Sequence, residues 1–294
     1  MSLKELSAID TDMLQPISRI LSNAFKGASK DGDSLIWVSP DGDDTLGDGS
    51  LNTPYATIAA ALLDISTTKK CIMLLPGMYP EAFVWPSING VSIRGACSDS
   101  GAVIVGDESS EDVALNAETE LILIDPTVQT SSFEAILSNL TISAPGTVMG
   151  ITVDNNNVAK KIILQLSNVA FEQDDSAVKS LNIVHTNANN AIKVYCDGNH
   201  DTMEGKLYIV PKNTDDRFLF NNMQFAGDIQ FGTATIASLS MFKHCIVKDN
   251  GGSGGQDTQI LAVLGCYSLT GTTFAIAALG DFAANAAEVI LPAA

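Results

Sequence analysis

Basic residues are scarce. Sixteen lysines and arginines face 34 acids across 294 residues, for a formal net charge of -18, and only Arg19, Arg94 and Arg217 are arginines. Such a surface repels phosphate backbones and anionic headgroups, so nucleic acid and membrane are poor partners. Acidic glycans are disfavoured on the same ground unless calcium or a local basic groove intervenes. Aromatic residues make up only 6% of the chain, which limits the ring faces available to stack a sugar. The cysteines Cys71, Cys97, Cys196, Cys245 and Cys266 are odd in number and form no C-x-x-C pair. They read as buried free thiols rather than a disulfide framework, which implies synthesis in a reducing compartment. No apolar run reaches membrane-spanning length, and the opening MSLKELSAID carries acids where a signal peptide would carry an apolar core.

What is abundant is apolar. With 46% hydrophobic and 17% charged residues the chain can build a long continuous core. No helical pattern of useful length occurs between residues 68 and 270. Short segments such as GITVD (150 to 154), KIILQL (161 to 166) and KLYIV (206 to 210) read instead as strands separated by Asp, Asn, Gly and Ser turns. A divergent repeat runs through them: LSNLTI at 137, LSNVAF at 166, FNNMQF at 220, FKHCIV at 242 and LGCYSL at 264, with degenerate copies NNAIKV at 189 and INGVSI at 88. The fourth and sixth positions are apolar and the fifth is mostly polar, the period of a half-buried strand. Spacings of 22 to 31 residues fit one repeat per coil of a β-solenoid, whose turns can swell without breaking the stack.

The third position of the repeat is polar or small, and two structural readings account for it. Asn139, Asn168 and Asn222 form an amide ladder between coils, with His244 and Cys266 continuing the column and Gly90 in the same slot upstream. Alternatively, these asparagines end turns in left-handed backbone geometry. Neither reading makes them catalytic.

The N-terminal third carries a more specific pattern. VSPDGDDTLGDGSLNTPYATIAAALLDI (38 to 65) is an Asp/Gly-rich loop followed by a helical stretch, and KKCIMLLPGMYPEAFVWPSINGVSIRGA (69 to 96) is a strand, a turn at PGMY and a first coil ending in VSIRGA. Thr53 ahead of Pro54 predicts a cap for a helix over about 54 to 65, whose Ile58, Ala61 and Leu62 cover the open first coil. This arrangement resembles the lead-in of pectin-lyase-like proteins. The resemblance implies an all-β fold, a right-handed parallel β-helix with a short N-terminal helical cap. It also implies one of two roles, since that family includes polysaccharide enzymes and the spike and surface proteins of tailed bacteriophages.

The family's catalytic signatures are missing. There is no DFIFG-like stretch of the methylesterases, and no GHG or RIK of the galacturonases to accompany the NTD of residues 213 to 215. For a lyase-type arginine base, only Arg94 and Arg217 lie in the coils, and Arg94 reads as a corner residue binding loop carbonyls. The candidates for a carboxylate pair for glycoside hydrolysis are Glu172, Asp174, Asp175, Asp215 and Asp216, which read first as solvated turn residues. Asp41, Asp43, Asp44 and Asp48 crowd one loop and are secondary calcium candidates. Leu46 and Asn52 occupy the positions where an EF-hand needs glycine and glutamate. His185, His200 and His244 share no metal-ligand spacing, so no metal and no cofactor are expected.

Residues 1 to 30 form a separate segment. TDMLQPISRILSNAFKG spaces Met13, Leu14, Ile17, Ile20, Leu21 and Phe25 as one apolar stripe, capped by Thr11 or Asp12 and stopped at Gly27. It reads either as a cover for the solenoid or as a docking element. The β-helix is assigned to 31 to 270, and the alanine-rich residues 271 to 294 to an apolar cap or oligomerisation segment. The expectation is a non-enzymatic virion protein of the head-decoration, spike or fiber type. It would be made in the host cytoplasm without a signal peptide and assemble as a homotrimer with capsid or tail proteins as partners. A polysaccharide-degrading or glycan-binding β-helix is the alternative.

Overall fold

The computed structural model describes residues 35–97, 101–105, 120–125, 132–155, 161–173, 175, 177–185, 190–198, 201–232, 239–247, 260–264 and 267–268. The segments 1 to 30 and 271 to 294 lie outside the described residues. β1 (Leu35–Val38) is the first element among the described residues and α1 (Ile58–Leu63) follows. Three strands per coil come next: β2 (Cys71–Leu74), β3 (Gly77–Pro80) and β4 (Phe83–Val84), then β5 (Val91–Gly95), β6 (Ala102–Val105) and β7 (Glu120–Ile124). β8 (Phe133–Ala144) and β10 (Ile162–Gln173) each bend across two faces, and are followed by β9 (Met149–Asn155) and β11 (Lys179–His185) on the third. The succeeding coils are β12 (Ile192–Asp197), β13 (Thr202–Met203), β14 (Lys206–Val210), then β15 (Arg217–Asn221), β16 (Gln224–Phe225), β17 (Ile229–Phe231). β18 (Leu239–Lys243), β19 (Ile246–Val247), β20 (Ile260–Leu264) and β21 (Tyr267–Ser268) complete the stack.

Every one of these pairings is parallel. One face runs β1-β2-β5-β8-β10-β12-β15-β18-β20, and another runs β4-β7-β9-β11-β14-β17. The third joins β3 and β6 to the far halves of β8 and β10 and on to β13, β16, β19 and β21. The fold is therefore a parallel β-helix. Its core is a set of in-register columns, such as Ile36, Ile72, Ile93, Leu137, Leu166, Cys196, Phe220 and Phe242, all buried. Each such side chain stabilises the fold by about 1.5–3 kcal/mol relative to exposure. The Phe220 and Phe242 rings stack at 5.0 Å between centroids, and burial pushes the Cys196 thiol far up its titration range.

The corner between the first and third faces explains the repeat. Asn139, Asn168, Asn222 and His244 all have φ between 52 and 55 degrees, the left-handed region that turns a strand sharply in one residue. Asn168 Nδ2 also donates to Asn139 Oδ1 at 3.2 Å. Left-handed turn and amide contact thus occur in the same residues. Three details of the repeat alignment are corrected by the strand register. Arg94 pairs with Ser138 and Ser167 with Asp197, so the corner slots upstream and between the asparagines belong to Gly95 and Gly198, not to Gly90 or the NNAIKV copy. Lys243 pairs with Leu264, which shifts the last copy by one residue; Cys266 itself lies outside the described residues. At Gly95 and Gly198, whose own backbone is not left-handed, glycine is required because the asparagine of the adjacent coil turns its carbonyl toward them. A Cβ on Gly95 would run into the Asn139 carbonyl oxygen, and one on Gly198 would meet Met223 Sδ and the Asn222 carbonyl.

The helix starts later than the sequence suggests. Thr57, not Thr53, is the N-cap, accepting from the Ala60 N–H at 3.1 Å, and Ile58 and Ala61 are fully buried. Residues 53 to 55 stay extended because they serve the edge of β1. Tyr55 N–H donates to the Trp37 carbonyl and Ser39 N–H to the Tyr55 carbonyl, while Trp37 N–H donates to Gly49. The loop, rather than the helix, satisfies the exposed strand edge. Glu81 completes the cap, accepting from Ile58 and Ala59 N–H at 2.7 and 2.9 Å. The PGMY turn works through Tyr79, whose buried hydroxyl donates to the Leu75 carbonyl at 2.6 Å and lies 3.1 Å from that of Val38.

Replacing Gly95 by alanine, with its methyl aimed at backbone that cannot yield, is expected to cost about 1–3 kcal/mol in urea unfolding. Gly90→Ala meets open space but sits at φ 78, so its cost is limited to backbone strain. Equal stability of Gly95→Ala and wild type would contradict the register.

Candidate functional site

The sequence candidates are dispersed. Glu172 is exposed at the end of β10, and Asp175 is exposed in the following turn, where it accepts from the Ala177 N–H at 2.8 Å. Asp174 lies outside the described residues. Asp215 is exposed and its N–H donates to Asn213 Oδ1 at 2.8 Å. Asp216 is not a solvated turn residue: it is fully buried. Its Oδ1 accepts from Ile192 N–H at 2.7 Å, its Oδ2 from Lys212 and Asn213 N–H at 2.9 and 3.0 Å, and His185 Nδ1 lies 2.8 Å from Oδ2. One carboxylate thereby ties the end of β11, the start of β12 and the loop before β15. A fully buried carboxylate that accepts from three backbone N–H groups and lies against a histidine is committed to holding the fold.

The acidic loop is likewise spent on its own geometry. Asp43 Oδ1 accepts from Thr45 and Leu46 N–H, and Asp44 takes Ala56 N–H, Thr57 N–H and the Thr57 hydroxyl. Asp48 takes Ser50 N–H and the Thr53 hydroxyl, which hold its carboxyl down to about 2. Asp41 is exposed and engages the loop only through its N–H. No group of three or more His, Cys, Asp or Glu side chains is placed to hold a metal ion among the described residues. Arg94 sits half-buried on the outer face of β5; a role for it in gripping loop carbonyls is not seen, and its Nε is buried without a partner.

A different cluster emerges from the register of the face formed by β4, β7, β9, β11, β14 and β17. The row Ile122, Ile151, Leu181, Leu207 and the row Ile124, Val153, Ile183, Ile209 point inward and are fully buried, so the row between them points outward. That puts Leu123, Thr152, Asn182, Tyr208 and Gln230 in one outer row across β7, β9, β11, β14 and β17. Asp125 and Asp154, one position beyond the paired Ile124 and Val153, follow in the next row, one strand spacing of about 4.8 Å apart. Asn182 Nδ2 donates to Thr152 Oγ1 at 3.3 Å, and the two residues are only 5% and 7% exposed. Asn182 Oδ1 and Asp154 Oδ1 are buried with no hydrogen-bond partner. Burial, and then the charge of Asp125, push the Asp154 carboxyl up, against an opposing pull from His185. Beside the row, Lys179 Nζ lies 4.0 Å from the Tyr208 ring centroid, and burial followed by Lys206 lowers its pKa. A pair of stacked carboxylates, a half-satisfied amide and a partly dehydrated lysine over an aromatic ring can bind a polar ligand, and burial makes the Asp154 carboxyl hold its proton more readily than a free one does.

Sequence reasoning missed this cluster. Its signal was the alternation in ELILID, GITVD, LNIVH and KLYIV, which shows which residues face out but not which of them become neighbours. That depends on pairings across loops of unequal length.

No protein-family model and no curated protein matches the chain. Among solved structures it is similar to a pectin methylesterase from carrot, with a TM-score of 0.42 and 11% identity over 81% of this chain and 84% of that one.

Asp216→Ala, which leaves the buried His185 and three backbone N–H groups without their acceptor, is expected to lose about 3–5 kcal/mol in urea unfolding. Asp215→Ala next to it should stay within about 0.5 kcal/mol of wild type. Equal losses would contradict the structural role assigned to Asp216.

Proposed function

We propose that the chain is a non-enzymatic structural protein of a bacteriophage virion, of the head-decoration, spike or fiber type, and that it assembles as a homotrimer. The observation that carries this reading is the separation of the carboxylates of β10 and the loops after it. Glu172, Asp175 and Asp215 are exposed singly, and Asp216 is committed to the backbone. The body is a stiff stack with a continuous core, sealed at its first strand by the loop of residues 47 to 55. The near-chargeless residues 271 to 294 supply apolar surface suited to burial against other copies.

The alternative is a polysaccharide-degrading or glycan-binding β-helix, and one observation favours it. Asp125 and Asp154 stack on the outer face beside Thr152, Asn182 and Tyr208, and the raised Asp154 carboxyl is the kind of group a glycoside-cleaving site uses.

Light scattering on the full chain is expected to give the mass of three copies of the 30.9 kDa chain. A monomer, together with release of reducing ends from polysaccharides that is lost in Asp154→Asn, would overturn the structural reading in favour of the alternative.

A further inference from the structure

The outward surface of the first two strands differs from the rest of its face. Ile36 and Val38 are fully buried, so Leu35 and Trp37 point away from the core, next to Cys71 and Met73 on β2. The row that begins with Trp37 and Met73 continues as Arg94, Ser138, Ser167, Asp197 and Asn221. It is apolar only where the chain enters the fold. Leu35, Trp37 and Leu51 line a cavity of about 380 Å³ there, with Asp48 and Lys69 at its polar side. Leu51 is 55% exposed, and the adjoining loop presents Asp41, Asp43, Asp44 and Asp48 on the surface.

We infer that this groove is the docking site for residues 13 to 25 of the same chain. The first described residue, Leu35, is itself part of the groove lining, so the segment that precedes it is delivered to the site by covalent connection. Residues 27 to 34, fully extended, reach up to about 28 Å, enough to let the segment fold back over the outer surface of β1 and β2. The stripe of Met13, Leu14, Ile17, Ile20, Leu21 and Phe25 is suited to the apolar part of the lining, Leu35, Trp37 and Leu51. Charge fits as well. Within residues 11 to 27 one acid, Asp12, stands against two bases, Arg19 and Lys26, in a protein of net charge -18, and the groove lining includes Asp48 of the acidic loop. A tethered segment binds as if at millimolar concentration, so weak contacts suffice to hold it.

Trp37 reports on the groove directly. The only other tryptophan, Trp85, is 3% exposed and shielded from an aqueous quencher. Acrylamide quenching of the full chain is compared with Ile17→Glu and Leu21→Glu in the stripe, and with Ser18→Glu outside it, using Trp37→Phe to confirm the source of the signal. The expected result is a red shift and increased quenching in the two stripe variants, no change for Ser18→Glu, and unchanged thermal unfolding of the β-helix in all three. Identical quenching across the series would overturn the proposal. So would protection of Trp37 that disappears on dilution of the wild type, because the occupant would then be a second copy of the chain.

Discussion

The structure depends on a single-residue corner. In each of four coils one residue holds φ near +53 degrees, and that residue alone redirects the chain from the first face to the third while both flanking strands stay paired with their neighbours. The left-handed conformation costs an ordinary side chain about 1–2 kcal/mol, which is why asparagine recurs there. The turned carbonyl in its wake explains why Gly95 and Gly198 sit beside such corners, and the whole in-register core follows from keeping these corners stacked.

With the corner fixed, the other two turns are free to vary. Pairing is conserved from β8 to β10 over eleven positions, six before and five after Asn139 and Asn168, whereas the connections elsewhere range from the short Gly227 turn to long insertions. Several polar groups have been recruited to brace them. Asp216 ties three segments of backbone, Glu81 caps α1, and Asp43, Asp44 and Asp48 of the acidic loop each accept from backbone N–H groups of that loop or the helix start. This use of carboxylates bears on function. An acidic chain need not carry an acidic active site when its carboxylates are accepting backbone N–H groups.

The β-helix was legible in the sequence because inward residues alternate with outward ones and the repeat marks the corner. Asn139, Asn168 and Asn222 could be picked out by spacing alone. Gly95, Gly198 and the one-residue shift near Leu264 could not, since glycine in the slot looks like glycine in any turn and only strand pairing fixes the register. The helix start was misjudged for a comparable reason: Thr53 and Thr57 both have capping chemistry, and the choice was made by the need of β1 for an edge partner. Asp216 and Asp215 are adjacent in sequence and opposite in environment, a difference set by His185 and Ile192 from other coils. The Asp125 and Asp154 pair was hidden because its two members are 29 residues apart and meet only through β7 and β9.

The central claim is that the left-handed corner, more than its amide contacts, holds the coils in register. The most direct measurement is the unfolding free energy of two triple variants, in which Asn139, Asn168 and Asn222 are all changed to glycine or all to alanine. The account predicts that the alanine protein is less stable than the glycine protein by about 1–2 kcal/mol per corner. Two triple variants of equal stability, both well below wild type, would contradict it and assign the register to the amide ladder instead.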